Sequence, residues 1–270
     1  MKIINTQLRG KTNVRIIGIL VIMLFSSMGL YAQTELSGLE IMQKVADRPD
    51  GDEMEGTLIM TLVNSRGSER VREIKQYIED LGSVEKKIMF FVKPADVQNT
   101  SFMNWSYDDE NANDDQWIYL PALKKVKRIS SDSSGDYFMG SDFTYDDLGD
   151  RNPADDTHTV LRTEVMDGLD CYIVESVTKD EDYMYSKTVT WVVKDRWYGL
   201  KKDFYDEDED YLKSLTLNSI ENINGFWIIT GTEMKNEQKN HSTRMEFKNV
   251  QIDAGINEAN FTERMMKRGL

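Results

Sequence analysis

The segment GTLIMTL, residues 56 to 62, has an apolar side chain at every second position from 58 to 62 and indicates a β fold. In a strand, Leu58, Met60 and Leu62 would point to one face and the two threonines to the other, because successive side chains alternate. The segment VEKKIMFFV, residues 84 to 92, has a similar period. A period of two predicts β-strands rather than helices.

Many further segments have this period or are rich in Val, Ile, Thr, Tyr and Trp, which favour strands. Asp167-Gly168 and Asn224-Gly225 are turn signals between such segments and indicate antiparallel hairpins. No helix long enough for a parallel crossover lies between them. The further predicted strands are 70–79, 115–120, 124–130, 159–166, 170–178, 187–194, 199–205, 211–221, 226–234 and 243–252.

The predicted architecture is therefore mostly β, with few helices, in an α+β class. An open sheet of about 11 strands must curl because each strand twists, and its concave face then needs a cover. An amphipathic helix is expected within residues 35–48 and a short helix or irregular tail at the C-terminus. A long insertion near 131–157 is the other candidate cover.

Residues 1–32 have the pattern of a secretory signal peptide. Four basic residues precede the apolar run IIGILVIMLF, residues 16–25, and Ala32 is a plausible cleavage point. The alternative is an uncleaved N-terminal anchor. Because Cys171 is the only cysteine, no internal disulfide can form and no lipid-bearing cysteine stands at the cleavage point.

The remainder of the chain, residues 33–270, is expected to form a single domain of strongly acidic character. The N-terminal segment holds four of the 33 basic residues and none of the 47 acidic ones, which leaves a formal net charge of −18. Such a charge argues against binding to nucleic acid, whose phosphates require Lys and Arg. It also disfavours docking on an anionic membrane surface.

The sequence gives little support to a catalytic site. His158 and His241 are scattered, and no nucleophile elbow or phosphate-binding loop is present. An envelope hydrolase that uses Ser141 remains a hypothesis without an activating histidine nearby in the sequence. No cofactor is expected.

The acidic stretch 108–115 is a weak candidate for calcium. Asp109, Asn111 and Asn113 have the first spacings of an EF-hand loop, but Asp114 replaces the required glycine and Leu120 the required glutamate. A solvated hairpin loop is the alternative interpretation, and no metal site is predicted.

The segment FMGSDFTYDDL, residues 138 to 148, mixes large apolar side chains with three aspartates. It is either a metal loop built on Asp142, Asp146 and Asp147 or an apolar lid. The lid interpretation is favoured, with the aspartates facing solvent, capping a helix start or binding a partner.

The segments WIYLPALKKVKR, residues 117–128, and FMGSDFTYDDL resemble the signature of the outer-membrane lipoprotein-sorting (LolA-like) family. The resemblance implies an unclosed antiparallel β-barrel, with helices acting as a lid over an apolar cavity that receives acyl chains. It also implies a periplasmic carrier without catalysis, acting with an RND-type lipid exporter. The chain is considerably longer than typical carriers of the family, so the cargo stays open between lipoprotein and lipid.

The residues expected to act in such a carrier fall into three groups. The aromatic and methionine-rich stretches supply the cavity and the lid, since such side chains line adaptable apolar surfaces. The basic run is either a solvated edge strand or a docking surface for an acidic partner. The chain is expected to be monomeric, and the competing function is an accessory subunit of an envelope transporter without its own cargo. The predicted cavity comprises Leu58, Met60, Leu62, Phe90, Phe102, Trp105, Trp117 and Tyr119; the lid Phe138, Met139, Phe143 and Tyr145; and the docking surface Lys124, Lys125, Lys127 and Arg128.

Overall fold

Alternating side chains produce strands along most of the chain. The computed structural model describes residues 36–109 and 112–270. The helices are α1 (Gly38–Ala46) and α2 (Glu263–Arg268). The strands are β1 (Glu53–Val63), β2 (Glu69–Asp80), β3 (Val84–Lys93), β4 (Ser101–Tyr107), β5 (Asp115–Leu120), β6 (Lys125–Arg128), β7 (Asp156–Met166), β8 (Leu169–Thr178), β9 (Lys187–Val193), β10 (Gly199–Tyr205), β11 (Tyr211–Ile223), β12 (Phe226–Asn236) and β13 (His241–Ile252).

Within the described ranges, the 13 strands form one antiparallel sheet that does not close into a barrel. β1 to β6 follow in chain order in one half, and β13 back to β7 form the other half. Pairing of β1 with β13 joins the halves, while β6 and β7 are the edges. The predicted fold class, a mostly β architecture with an unclosed antiparallel sheet and few helices, is confirmed.

Neighbouring residues of β3 separate the two faces of the sheet. Met89 and Phe91 lie in an apolar cluster with Leu58 of β1, whereas Ile88 and Phe90 lie in a second cluster. We call the face of Phe91 the concave face and the face of Phe90 the outer face. The concave face is covered by residues 129–155, which connect β6 to β7 and are called the insertion below.

The two helices cover different parts of the sheet. α1 begins with a capping box between Ser37 and Glu40, and its Ile41 is buried against Val174 and Val192. α2 places Met265 and Met266 in the outer cluster. A C-terminal helix therefore supports the outer face rather than the concave one.

The sequence did not predict β4, which lies in the middle of one half of the sheet. Its residues Ser101 to Asn104 are all buried, so apolar side chains do not alternate with exposed polar ones. The Asn104 amide nitrogen donates to the Ser106 hydroxyl at 2.7 Å, whereas its Oδ1 has no hydrogen-bond partner in the described part of the chain. A strand buried on both faces has no period-two signal.

The signal peptide prediction, including Ala32, lies outside the described residues. Within the described part of the chain, no helix combines the length and apolar character needed to span a membrane.

Candidate functional site

The insertion folds back on itself without forming regular strands or long helices. Phe138 N–H donates to the carbonyl of Phe143 at 2.7 Å and closes a tight loop. Met139 and Gly140, at the tip of the loop, have φ angles of 50° and 74°. A glycine tolerates this left-handed conformation, whereas Met139 adopts it at a cost of about 1 kcal/mol. The loop therefore exposes its backbone carbonyls to side chains of the sheet.

Large apolar side chains of the insertion are buried on the concave face. The ring of Phe138 is fully buried, with its centroid 5.9 Å from that of Phe91 and 5.1 Å from that of Phe102. Phe143 and Leu148 are also buried in this cluster. Side chains of this type contribute about 1.5–3 kcal/mol each when buried. The insertion is thus the apolar cover of the concave face.

A buried ion pair holds the insertion from β11. The Lys213 side chain is 0% exposed, and its Nζ lies 2.5 Å from Oδ2 of Asp147 and 3.0 Å from the carbonyl oxygen of Asp142. Asp147 also accepts hydrogen bonds from the N–H of Thr144 at 2.7 Å and from the hydroxyl of Tyr185 at 3.1 Å. Burial raises the pKa of Tyr185 well above its usual value, so the phenol stays a neutral donor.

A second buried carboxylate ties the insertion to β13. Oδ2 of Asp142 accepts from the Thr243 hydroxyl at 2.7 Å and lies 2.6 Å from Nδ1 of His241. The backbone N–H of Asp142 donates to the same threonine at 3.0 Å. These two carboxylates, with Lys213, form what we call the latch. The latch explains how buried aspartates are tolerated, since each has several donors.

Further side chains of the sheet bind carbonyl oxygens of the insertion. Arg72 donates to Met139 at 2.6 Å, and Gln116 donates to Tyr145 at 2.9 Å. Lys87 donates to Leu148 at 3.3 Å. The backbone of the insertion is bonded to the sheet at its two ends, where Ile129 N–H donates to the carbonyl of Gln116 and Asp155 accepts from Lys179 N–H. Between these ends it is attached through side chains.

Of the three roles expected for Asp142, Asp146 and Asp147, exposure to solvent is wrong for the two latch residues. Asp146 and Asp147 lie in the first turn of a short 3-10 helix, residues 146–148. Asp142 is 2% exposed and the Asp147 side chain 6% exposed. Asp146 accepts a hydrogen bond from the hydroxyl of Tyr183. Sequence reasoning missed these roles because the partners lie 66 to 101 residues away along the chain.

The eight predicted cavity residues do not form one cavity. The structure brings Leu58, Met60, Leu62 and Phe102 together with the predicted lid residues in the concave cluster. The other four lie in the outer cluster with α2; these are Phe90, Trp105, Trp117 and Tyr119. The reason is the alternation of strands: positions 102 and 105 differ by an odd number, so they point to opposite faces.

The predicted lid residues lie together in the insertion. Phe138 and Phe143 are buried in the concave cluster, and Met139 and Tyr145 pack against it. The basic residues Lys124, Lys125, Lys127 and Arg128 are exposed at the edge strand β6 and its preceding turn.

The candidate metal and hydrolase residues have other neighbours. Asn111 lies outside the described residues, and within the described ranges no three His, Cys, Asp or Glu side chains are placed to hold a metal ion. The Ser141 hydroxyl donates to the carbonyl of Phe143, and His241 contacts Asp142 rather than this serine. His158 lies 2.7 Å from the Ser176 hydroxyl.

Comparison with known proteins identifies the family to which this architecture belongs. A family model with the description "-like: Uncharacterized protein" matches residues 83–268. The solved structure of an outer membrane lipoprotein-sorting protein domain from Vibrio parahaemolyticus is 33% identical, with a TM-score of 0.80 over 86% of this chain and 98% of that one. The chain belongs to the LolA-like outer membrane lipoprotein-sorting family.

Two further structures resemble this LolA-like chain. A DUF1329 family protein from Desulfovibrio piger is 29% identical, with a TM-score of 0.80 over 85% of this chain and 97% of that one. A LolA superfamily protein from Nitrosomonas europaea has a TM-score of 0.65 over 85% and 99% of the chains, and at 17% identity it shares the fold alone. No curated protein matches the sequence. The family points to binding or transport rather than catalysis.

Proposed function

We propose that this chain is a periplasmic carrier that binds the acyl chains of a lipid or lipoprotein and moves them toward the outer membrane. The concave face would receive the acyl chains, and the insertion would act as its lid. Family membership supports a carrier of lipid or lipoprotein. The role needs no catalytic group and no cofactor, because acyl chains partition into an apolar site without chemistry.

The observation that carries the proposal is the mode of attachment of the insertion. Its apolar side chains complete the concave cluster, but between residues 130 and 154 no backbone–backbone hydrogen bond joins it to a strand of the described sheet. Side chains of the sheet hold it at its carbonyls and at two carboxylates. Such a cover can leave as a unit while the sheet keeps its own hydrogen bonds.

An acyl chain can offset the apolar part of the free energy of lid displacement. Removing Phe138, Phe143 and Leu148 from the cluster costs about 5–9 kcal/mol at about 1.5–3 kcal/mol for each side chain. A cargo chain regains about 0.8 kcal/mol for each buried methylene group. Roughly 6 to 11 buried methylene groups therefore offset these contacts. The described structure is the closed form, because Phe138 is 0% exposed.

A series of fatty acids with increasing chain length tests whether a bound acyl chain can replace the contacts of the displaced lid. The purified protein, without its N-terminal segment, should bind long chains and fail to bind chains of fewer than about six methylene groups. Binding is measured by calorimetry. Absence of binding at every length would contradict the carrier function.

We propose that the exposed basic residues at β6 dock the carrier, as a monomer, to an acidic surface of an inner-membrane RND-type exporter. Reversal of the charges of Lys124, Lys125, Lys127 and Arg128 to Glu should abolish co-purification with such an exporter while fatty-acid binding persists. Lys235→Glu, on the exposed side of another strand, serves as the control. Co-purification that survives the fourfold reversal would remove the docking role.

The second candidate is an accessory subunit of an envelope transporter that carries no cargo. The observation in its favour is that the insertion itself fills the concave cluster. It predicts the same dependence on the basic residues, with no fatty acid bound at any chain length.

A further inference from the structure

Basic residues are concentrated at one end of the sheet, although the chain as a whole is acidic. They lie in two segments, 121–128 and 263–270, which together hold seven basic residues and one acidic residue. The Ser101 hydroxyl of β4 donates to the carbonyl of Met266 at 3.1 Å and so fixes α2 at this end. Ser101 is directly opposite Tyr119, next to the end of β5 that leads into the first segment. We call the two segments together the basic patch.

Most cations of the basic patch have no carboxylate partner. Arg128 pairs with Asp115, and Lys267 pairs with Glu263 at 3.2 Å. The other five basic residues are exposed, and within the described part of the chain no ion pair joins them. A cluster of unpaired cations creates a local positive potential that attracts an anionic surface. The five residues are Lys124, Lys125, Lys127, Arg264 and Arg268.

Two large apolar side chains are exposed among these cations. Leu123 is 64% exposed and Leu270 66% exposed, the highest values for any leucine of the described residues. The N–H of Leu123 donates to the carbonyl of Leu120 at 3.0 Å, and that of Lys124 donates to Pro121 at 3.2 Å. A tight turn, rather than a loose loop, therefore presents Leu123 to solvent. Exposed apolar side chains beside Lys and Arg are the combination that binds proteins to the surface of a bilayer.

We propose that the basic patch docks the carrier on an anionic bilayer, with its cations among the head groups and Leu123 and Leu270 in the acyl region. An acidic protein surface would match the charges, whereas a bilayer also offers hydrocarbon to the leucines. The net charge of the whole chain opposes such docking, but at physiological ionic strength charges more than about 8 Å away are largely screened. The inference goes beyond the proposed contact with an exporter, because it needs lipid and no protein partner.

Flotation with vesicles measures docking. The wild type and each variant are recovered from the envelope of expressing cells and mixed with vesicles of phosphatidylcholine, or of equal amounts of phosphatidylcholine and phosphatidylglycerol. The wild type should float with the mixed vesicles and much less with phosphatidylcholine alone, and added salt should release it. The double variant Lys124→Gln/Lys125→Gln should bind the mixed vesicles about 25-fold more weakly, at about fivefold for each basic residue near an anionic surface.

Two variants of Leu123 test whether the turn enters the acyl region. Leu123→Ser should weaken docking about tenfold or more, because a leucine side chain is no longer buried in hydrocarbon. Val165→Ser is the matched control, since Val165 is 66% exposed on the edge strand β7. Leu123→Cys can be labelled selectively with an environment-sensitive fluorophore, because Cys171 is 0% exposed. Its emission should shift to shorter wavelength on the mixed vesicles, whereas that of labelled Val165→Cys should not.

The outcomes distinguish the inference from the functions proposed above. Equal flotation with both kinds of vesicle, or docking that persists in Leu123→Ser without an emission shift at position 123, would overturn it. Absence of docking, with co-purification that still depends on the basic residues, would assign the patch to a protein partner and also overturn it. Docking that depends on Leu123, in a protein that binds no fatty acid of any length, would support the inference and end the carrier proposal.

Discussion

Replacement of Lys213 by Met tests whether the latch controls the insertion. The change removes the ammonium group that lies 2.5 Å from Asp147, and both side chains are nearly or completely buried. Loss of one partner from a buried ion pair costs about 3–5 kcal/mol, because the other charge stays buried without compensation. Since about 1.4 kcal/mol is a factor of ten, opening of the insertion should increase about 100- to 5,000-fold.

Native-state hydrogen exchange measures this opening. The amides of residues 137–148 should exchange faster by that factor in Lys213→Met, while amides of β1 and β13 lose much less protection. The double variant Lys213→Met/Asp147→Asn should recover part of the protection, because it removes the uncompensated charge and keeps an acceptor for Thr144. Lys235→Met, which breaks an exposed pair with Glu237, should leave exchange unchanged.

An equal loss of protection across the sheet and the insertion would contradict separate opening of the insertion. In that case the ion pair would stabilise the whole fold, and the insertion would not open as a separate unit.

Three further predictions concern other parts of the chain. Phe91→Ala and Phe90→Ala should each lower the unfolding free energy by about 3–5 kcal/mol in urea titrations. Only Phe91→Ala should alter fatty-acid binding, because the two rings lie on opposite faces of the sheet. Equal effects of the two variants on binding would reject the assignment of the faces. Gly38→Ala should lower the unfolding temperature, because the added Cβ would lie 2.6 Å from the backbone of His158. This clash should outweigh the higher helix propensity of alanine. An increase in the unfolding temperature would show that α1 shifts freely. Burial raises the pKa of Glu85 from 4.5 to about 6, so the folded state binds more protons between these values and stability is lost as pH rises through them. Glu85→Gln should therefore gain about 1–2 kcal/mol over the wild type between pH 4 and pH 7, and a constant difference in urea titrations across this range would contradict the shift.

The antiparallel sheet was predictable because its signals are local. Alternation in residues 56–62 and the turn at Asn224-Gly225 both depend on neighbours in sequence, and the structure has β1 and the β11–β12 hairpin there. β4 was missed for the same reason, since burial on both faces removes the local period. The sequence pattern of a strand therefore depends on which of its faces is exposed to solvent as much as on its extended backbone.

The candidate site was only partly predictable because it depends on distant partners. The apolar residues of segment 138–148 predicted a lid, and the structure places Phe138 in the concave cluster. The action of this segment as a lid stays a prediction. The burial of Asp147 could not be inferred, because its partner Lys213 is 66 residues away. A single lysine in a strand rich in leucine is the one signal that could have suggested a buried ion pair.

The division of aromatic residues between two faces is a related case. The proximity of Phe102 and Trp105 in sequence suggested one cavity, but alternation along β4 separates them. Applying the period of two within each strand would have assigned them to different faces. The remaining step, which face the insertion covers, follows only from the tertiary structure.

Native mass spectrometry of the protein recovered from the envelope of expressing cells tests directly whether this chain carries acylated cargo. The protein should hold a stoichiometric bound species that solvent extraction identifies as a lipid or an acylated protein, and Lys213→Met should exchange this species faster with added vesicles. A protein that carries no lipid, and takes none from vesicles even when the latch is broken, would contradict the carrier function.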